Sequence, residues 1–345
     1  MHLHASSMHG AAERPRRERG FDALGAVALA PLHRALDALA VWSEDLVRRP
    51  PEACRLAAPA PLDAFGPLPP LGPAPGQPGW WTVPSPRPLD VGDALAVHRT
   101  PAAGPCRGTA LLVPPWKIRR PGLVAGYVKL LARTGQEVWL VCPPHHLLRT
   151  RPGARSGEGF VTLDLARLRA VVEQQVVELR ACAALAASRG PVGIVGLSLG
   201  ALAAALAATA PEPLAYAALV APPELALVLS TGIGRRYRRL SDAAGAAWPG
   251  ETALAEALAP FDARRRAPTA RQLFLAGARH DAIAPVAGAE SLARGWGVEP
   301  RLYPRAHLSL IFLCHALRRD LAGFVGSALG LGIERTSRFD STSQI

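Results

Sequence analysis

Residues Gly190 to Gly200 read Gly-Pro-Val-Gly-Ile-Val-Gly-Leu-Ser-Leu-Gly, and few chain geometries accommodate that run. Val192 to Val195 is a short apolar strand signal, and Ala201 to Ala208 is an Ala/Leu-rich helical run. Between them Gly196-Leu197-Ser198-Leu199-Gly200 fits Gly-x-Ser-x-Gly. Strand, tight turn and helix in that order are the context in which a serine sits on a strained turn with its hydroxyl pointing away from a sheet. Glycines two before and two after such a serine leave room for segments that approach closely. Taken alone the pentapeptide is equally an ordinary glycine-rich turn, and its weight comes from the partners found downstream. The apolar stretch from about Val192 to Ala210 has the length of a membrane span, but Gly193, Gly196, Ser198 and Gly200 interrupt it and Pro211 ends it. A strand-turn-helix unit accounts for those glycines.

Around this unit the chain alternates. Strands are expected at Gly79–Val83, Ala94–His98, Thr109–Val113, Glu137–Val141, Val192–Gly196, Ala215–Val220, Gln272–Ala276 and Glu299–Tyr303. Helices are expected at Gly122–Arg133, Leu163–Ser188, after Ser198, at Val286–Arg294 and at Leu310–Gly326. Alternation from residue 109 onward implies right-handed crossovers and a mostly parallel twisted sheet with helices on both faces. The first two strands have no helix between them, so an antiparallel edge is expected there. Residues 222–268 are expected to form a small cap insertion, with Leu225, Leu227, Val228, Leu229, Tyr237 and Trp248 as apolar lining or as ordinary helical packing. The main domain is thus 79–330. Ahead of it, 22–78 read as a helix followed by a Pro-rich connector, and 1–21 and 331–345 read as disordered ends. In the helix, about Pro31 to Arg49, the apolar stripe is Leu32, Leu36, Leu39, Trp42 and Leu46, with Arg34, Asp37 and Glu44 off that stripe.

A serine hydroxyl needs a base within hydrogen-bond reach, and that base needs a carboxylate to fix its tautomer. In parallel sheets, reacting groups gather at the carboxyl ends of strands. Asp281 follows the strand signal Leu273-Phe274-Leu275-Ala276-Gly277, with Pro285 opening the next helix; the plainer role for Asp281 is a cap on that helix. His307 falls in the loop after the following strand, Arg301-Leu302-Tyr303. Ser198, Asp281 and His307 are therefore the candidate catalytic set. An oxyanion needs two aimed donors. The amide of Leu199, at a helix N-terminus, is one. The second comes from Pro114-Pro115-Trp116-Lys117, where the prolines have no N–H. Trp116 is the first choice and Lys117 the second. His145, His146 and Arg149, beyond the end of the strand at 137–141, are candidate substrate contacts; a lining role for a histidine, or a solvated basic loop, are the plainer readings. Cys142-x-x-His145 has no second ligand cluster nearby, so no metal is expected.

At 345 residues the chain can bury a sizeable core. Its formal charge is +12, carried almost wholly by arginine, since Lys117 and Lys129 are the only lysines. The arginines are scattered, with no basic stripe interleaved with aromatics, so no nucleic-acid partner is expected. Five widely spaced cysteines fit neither a disulfide framework nor a zinc site and point to a reducing, cytoplasmic setting. The N-terminus lacks an apolar signal core, and no stable membrane insertion is expected, with peripheral association left open.

The elbow pentapeptide, Asp281 and His307, in that order on alternating units, resemble the α/β-hydrolase superfamily over roughly residues 79–328. A closer likeness is to the α/β-hydrolase domain-containing 18 group and its bacterial relatives. Three features carry it: a Pro-rich entry before Trp80-Trp81, Pro143-Pro144-His145-His146-Leu147-Leu148-Arg149, and Gly190 to Gly200. Pro144 stands where those relatives more often carry Tyr, and Ala201 where many hydrolases carry Gly. The resemblance implies the α/β-hydrolase fold, no metal or organic cofactor, and a serine hydrolase of esterase or lipase type acting on a small acyl ester or thioester. Acyl transfer to an alcohol or amine would use the same residues. A catalytically silent binding protein on this fold is a third reading.

Overall fold

The structure, a computed structural model, describes residues 51–72, 76–90, 93–230 and 232–330, together with Pro31, Ala35 and Asp37 in helical conformation. The expected disordered ends, and the rest of the expected N-terminal helix, lie outside the described residues.

Eight strands form one sheet: β1 Gly79–Pro84, β2 Ala94–Thr100, β3 Gly108–Val113, β4 Gln136–Cys142, β5 Val192–Leu197, β6 Tyr216–Val220, β7 Leu273–Ala278 and β8 Arg301–Tyr303, in the order β1-β2-β4-β3-β5-β6-β7-β8. β1–β2 and β2–β4 pair antiparallel and all other neighbours pair parallel. This is the α/β-hydrolase sheet with its antiparallel edge. The central strands read as continuous apolar runs because both faces are covered. On β3, Leu111 and Val113 join the core on one face and Ala110 and Leu112 the core on the other, as the two-residue period requires. The first core is closed by helix Leu165–Ala187 and by Leu199–Ala207, every residue of which is buried. The second is closed by Ala125–Arg133 and by two helices at the C-terminal end.

That end differs from expectation. In place of one helix over Leu310–Gly326 there are two, His307–Leu313 and His315–Ala328. Cys314 separates them in extended conformation, and its sulfur accepts the Leu317 N–H. His307 is therefore the first residue of a helix and not a loop residue. Between β6 and β7, residues 222–268 carry helices Leu225–Ser230, Gly232–Ala243 and Glu251–Leu258. Leu225, Ala226, Leu229 and Trp248 pack against the same core that contains Leu199 and Leu202. Among the described residues no helix is long and apolar enough to cross a membrane.

Candidate active site

Ser198 lies between β5 and the helix Leu199–Ala207 with φ 53° and ψ −121°. A non-glycine residue held there stores on the order of 1–3 kcal/mol, which the surroundings must enforce. They do so by contact. A Cβ on Gly196 would meet Ala201 Cα at 2.6 Å, and one on Gly200 would collide with the carbonyl oxygens of Val113 and Pro114. Both glycines of the pentapeptide thus have a steric cause, and the second brings the end of β3 against the start of the elbow helix.

The structure brings the three expected side chains into a line. Ser198 Oγ is 2.8 Å from His307 Nε2, and His307 Nδ1 is 2.7 Å from Asp281 Oδ2. Asp281 also caps the turn that follows: its other oxygen accepts from Ile283 N at 2.9 Å and Ala284 N at 2.7 Å. Capping and orienting His307 are thus done by different oxygens of one carboxylate. Asp281 and His307 are essentially buried, and Ser198 is 9 % exposed. Burial alone would depress the imidazole pKa, but the charge and hydrogen bond of Asp281, with the charge of Asp37, outweigh it and raise the pKa above 6.5.

Asp37 is the residue that sequence reasoning missed. The helical spacing puts it off the apolar stripe, yet it is fully buried, and its carboxylate accepts from the backbone N–H of His307 at 2.8 Å and of Leu308 at 3.0 Å. No local signal could reveal partners 270 residues away. The one available hint was Ala306, a residue without a capping oxygen at the start of a helix.

Of the two candidate oxyanion donors in the loop after β3, Lys117 is engaged: its N–H donates to His146 Nε2 at 3.1 Å. The Trp116 N–H has no partner among the described residues, and its indole is held by the Gly157 carbonyl at 2.9 Å. Leu199, the first residue of its helix, has no carbonyl one turn back within that helix to bind.

His146 and Arg149, candidate substrate contacts, are held mainly by the protein itself, with Arg149 Nε left without a partner. His146 Nδ1 donates to the Pro144 carbonyl at 2.8 Å while Nε2 receives the Lys117 amide. Burial pushes its pKa down to about 4, so the ring is neutral, as an acceptor nitrogen requires. Arg149 is neither solvated nor open: its guanidinium reaches Glu178 at 2.6 Å and Asp93 at 3.1 Å. His145 is buried in left-handed backbone, φ 63°, and its Nε2 has no hydrogen-bond partner. No hydrogen bond joins any of the three to Ser198, Asp281 or His307. Cys142 is buried and donates to the His146 carbonyl.

The family model described as serine hydrolase matches residues 164–309, a segment that includes Ser198, Asp281 and His307. Solved structures similar to this chain include an esterase from Pyrococcus furiosus, 15% identical, covering 68% of this chain and 87% of that one with TM-score 0.47. A carboxyl esterase from Bacillus coagulans is 12% identical, covers 73% and 99%, and has TM-score 0.48. A monoacylglycerol lipase from Paleococcus ferrophilus is 16% identical, covers 69% and 99%, and has TM-score 0.45. A comparison with curated proteins finds no match. The family match covers less than half of the chain, over the segment that carries the three aligned side chains, and the sheet around it has the α/β-hydrolase strand order.

Proposed function

We propose that the protein cleaves a carboxylic ester through an acyl-enzyme on Ser198. The observation that carries this is the unbroken line from Ser198 Oγ to His307 Nε2 and from Nδ1 to Asp281, at 2.8 and 2.7 Å, with the serine on a strained turn. In this reading His307 takes the hydroxyl proton as Oγ attacks the carbonyl carbon. Asp281 stabilises the imidazolium, and His307 returns the proton to the leaving alkoxide. Water, activated by the same imidazole, then attacks the acyl carbon and frees Ser198. The amides of Leu199 and Trp116 hold the developing oxyanion, each worth about 3–4 kcal/mol. Support for Trp116 comes from its unengaged N–H and from the seating of Val113 and Pro114 on Gly200.

Residues 222–268 serve as a cap. Their apolar side chains share a core with Leu199, beside the nucleophile, which favours an apolar acyl or alkyl group. Kinship with the α/β-hydrolase domain-containing 18 group remains part of this proposal, resting on Trp80-Trp81, Pro143 to Arg149 and the elbow run. The decisive comparison is wild type against Ser198→Ala on p-nitrophenyl esters of several chain lengths, alongside labelling with a fluorophosphonate. Turnover and labelling should both vanish in the variant. Turnover that survives would remove Ser198 from the mechanism.

A further inference from the structure

We infer that Asp37 is a positioning residue for His307, so that the segment N-terminal to the sheet is a working part of the active site. The inference rests on the reading of His307 as catalytic base.

The helix that begins at His307 presents unsatisfied amides at its first turn. A local Ser, Asp or Asn would satisfy them, but the residue before it is Ala306, which has no side-chain oxygen. Asp37 supplies the missing carboxylate from a distant part of the chain. One oxygen accepts from the N–H of His307 itself at 2.8 Å, and the other from Leu308 at 3.0 Å. The first oxygen also lies 3.5 Å from the amide of Ala282, the residue after Asp281. One side chain therefore touches the backbone of both loops that carry the base and its orienting carboxylate. Besides the His307–Asp281 bond, the two segments are joined by backbone bonds from Arg279 N to the Tyr303 carbonyl and from His280 N to the Arg305 carbonyl, both at 2.9 Å.

Burial pushes the Asp37 carboxyl pKa up, against the amides and the His307 charge that pull it down. Such a group is costly to keep inside a protein unless its hydrogen bonds are made. Here those bonds go to the two residues that begin the helix of the base. The arrangement fixes where the imidazole starts, while Asp281 fixes how it is turned. It also adds a second negative charge that favours the imidazolium formed when Ser198 attacks. The charged or titratable groups facing His307 are then Asp281 from the loop after β7 and Asp37 from the N-terminal helix, with the Ser198 hydroxyl opposite.

The test uses the full-length protein with p-nitrophenyl butyrate and a fluorophosphonate probe. Asp37→Asn should lower kcat and the labelling rate by about 10²-fold, with KM within a few-fold, because a displaced base loses attack geometry more than binding. The acid limb of its pH–rate profile should move to lower pH, since one of the two anions that hold the imidazolium is gone. A mere helix cap would lower thermal stability and leave that limb in place. If Asp37→Asn folds poorly, Ala306→Ser added to it supplies a local capping oxygen. A double variant that melts like wild type but keeps the low kcat and shifted limb supports the inference. One that recovers both overturns it, as does a folded Asp37→Asn with unchanged kcat and limb. Ser198→Ala run in parallel separates the two claims: if it stays active, the reading of the site itself fails. If it is inactive and Asp37→Asn is like wild type, only the role of Asp37 fails.

Discussion

Two buried polar clusters lie at opposite ends of one design choice. At the rim of the sheet, Ser198, His307 and Asp281 form a line that holds one carboxylate, one imidazole and one hydroxyl, with no arginine or lysine bonded into it among the described residues. Against the long helix Leu165–Ala187, Arg149 is closed on Glu178 and Asp93, with Gln174 bonded to Ser85 and Glu178. Both clusters are largely shielded from water, with Asp93 the partly exposed member at 22 %. In the second, a fixed cation answers each carboxylate, so no group is left to move a proton. In the first, the carboxylate is answered by a base whose other nitrogen faces an unactivated hydroxyl. What separates machinery from scaffold in this molecule is therefore what closes the charge, an arginine or a histidine, more than how deeply the charge is buried.

The sharpest way to break that contrast is Asp281→Asn. The amide keeps the shape but removes the charge that stabilises the imidazolium, and kcat should fall by about 10⁴-fold, roughly 5 kcal/mol of barrier. Stopped assays on ester substrates would read it, and a variant retaining a tenth of wild-type kcat would detach Asp281 from the base. The matching change in the other cluster is Arg149→Met. It leaves Glu178, wholly buried, without its cation and should cost about 3–5 kcal/mol of stability. Ester turnover per folded molecule should stay near wild type. Adding Glu178→Leu should recover most of the loss, because the orphaned charge is what costs energy. Chemical denaturation of the single and double variants checks this, and an undiminished deficit in the double variant would show that the pair matters by packing alone.

A smaller effect is expected at His146, which stands between the two clusters in character. Its ring is neutral and scaffolding, yet it holds the amide of Lys117 next to Trp116, the proposed oxyanion donor. His146→Phe keeps an aromatic ring against Phe160 but removes the acceptor. The Lys117 N–H then loses this acceptor, a change worth about 1–3 kcal/mol, and the loop loses one of its anchors. We expect kcat to fall about tenfold or more with KM little changed, as for a lost positioning contact. Steady-state kinetics on the folded variant would read it, and unaltered kcat would mean that Trp116 is held by its indole bond to Gly157 alone.

The difference in legibility between the clusters has the same physical root. Ser198, Asp281 and His307 were readable because each sits at a local signal: an elbow with its glycines, or the first residues after a buried strand. The sheet was readable because apolar runs and the alternation with helices are also local. The start of the helix at His307 was misread because its cap is not in the adjacent sequence. Ala306 offers no oxygen, and Asp37 supplies one from a position that the helical spacing puts off the apolar stripe. Likewise, Glu173, Gln174, Gln175, Glu178 and Arg180 are buried on one helix although no composition rule would put them there. They are covered by segments remote in sequence: Asp63 N donates to Glu173, Ser85 to Glu178, and Arg180 to the carbonyl of Gly66. Polar pairing across the fold is what periodicity does not encode.

The smallest expected effect, and the most diagnostic of the contrast, is in pH. His307 accepts the serine proton only when neutral, and its pKa is raised above 6.5, so the acid limb of kcat/KM should lie above the ordinary histidine value. The same raised pKa means that folding favours the protonated ring. That contribution to stability is fully present below pH 6.5 and is lost as pH rises through the folded-state pKa of His307. His146 and His145 have the opposite sign. Burial, aided at His145 by nearby arginines, holds both near about 4, so their unfolded forms take up protons first. Their contribution is intact above 6.5 and is lost as pH falls from there toward 4. Stability should therefore decline on the acid side while activity is already failing, and on the alkaline side activity should climb as the His307 contribution disappears. Melting curves and kcat/KM taken across pH 4 to 9 would test this. Coincident acid limbs for stability and activity, both abolished by His146→Phe, would assign the activity loss to the scaffold histidine and not to the base.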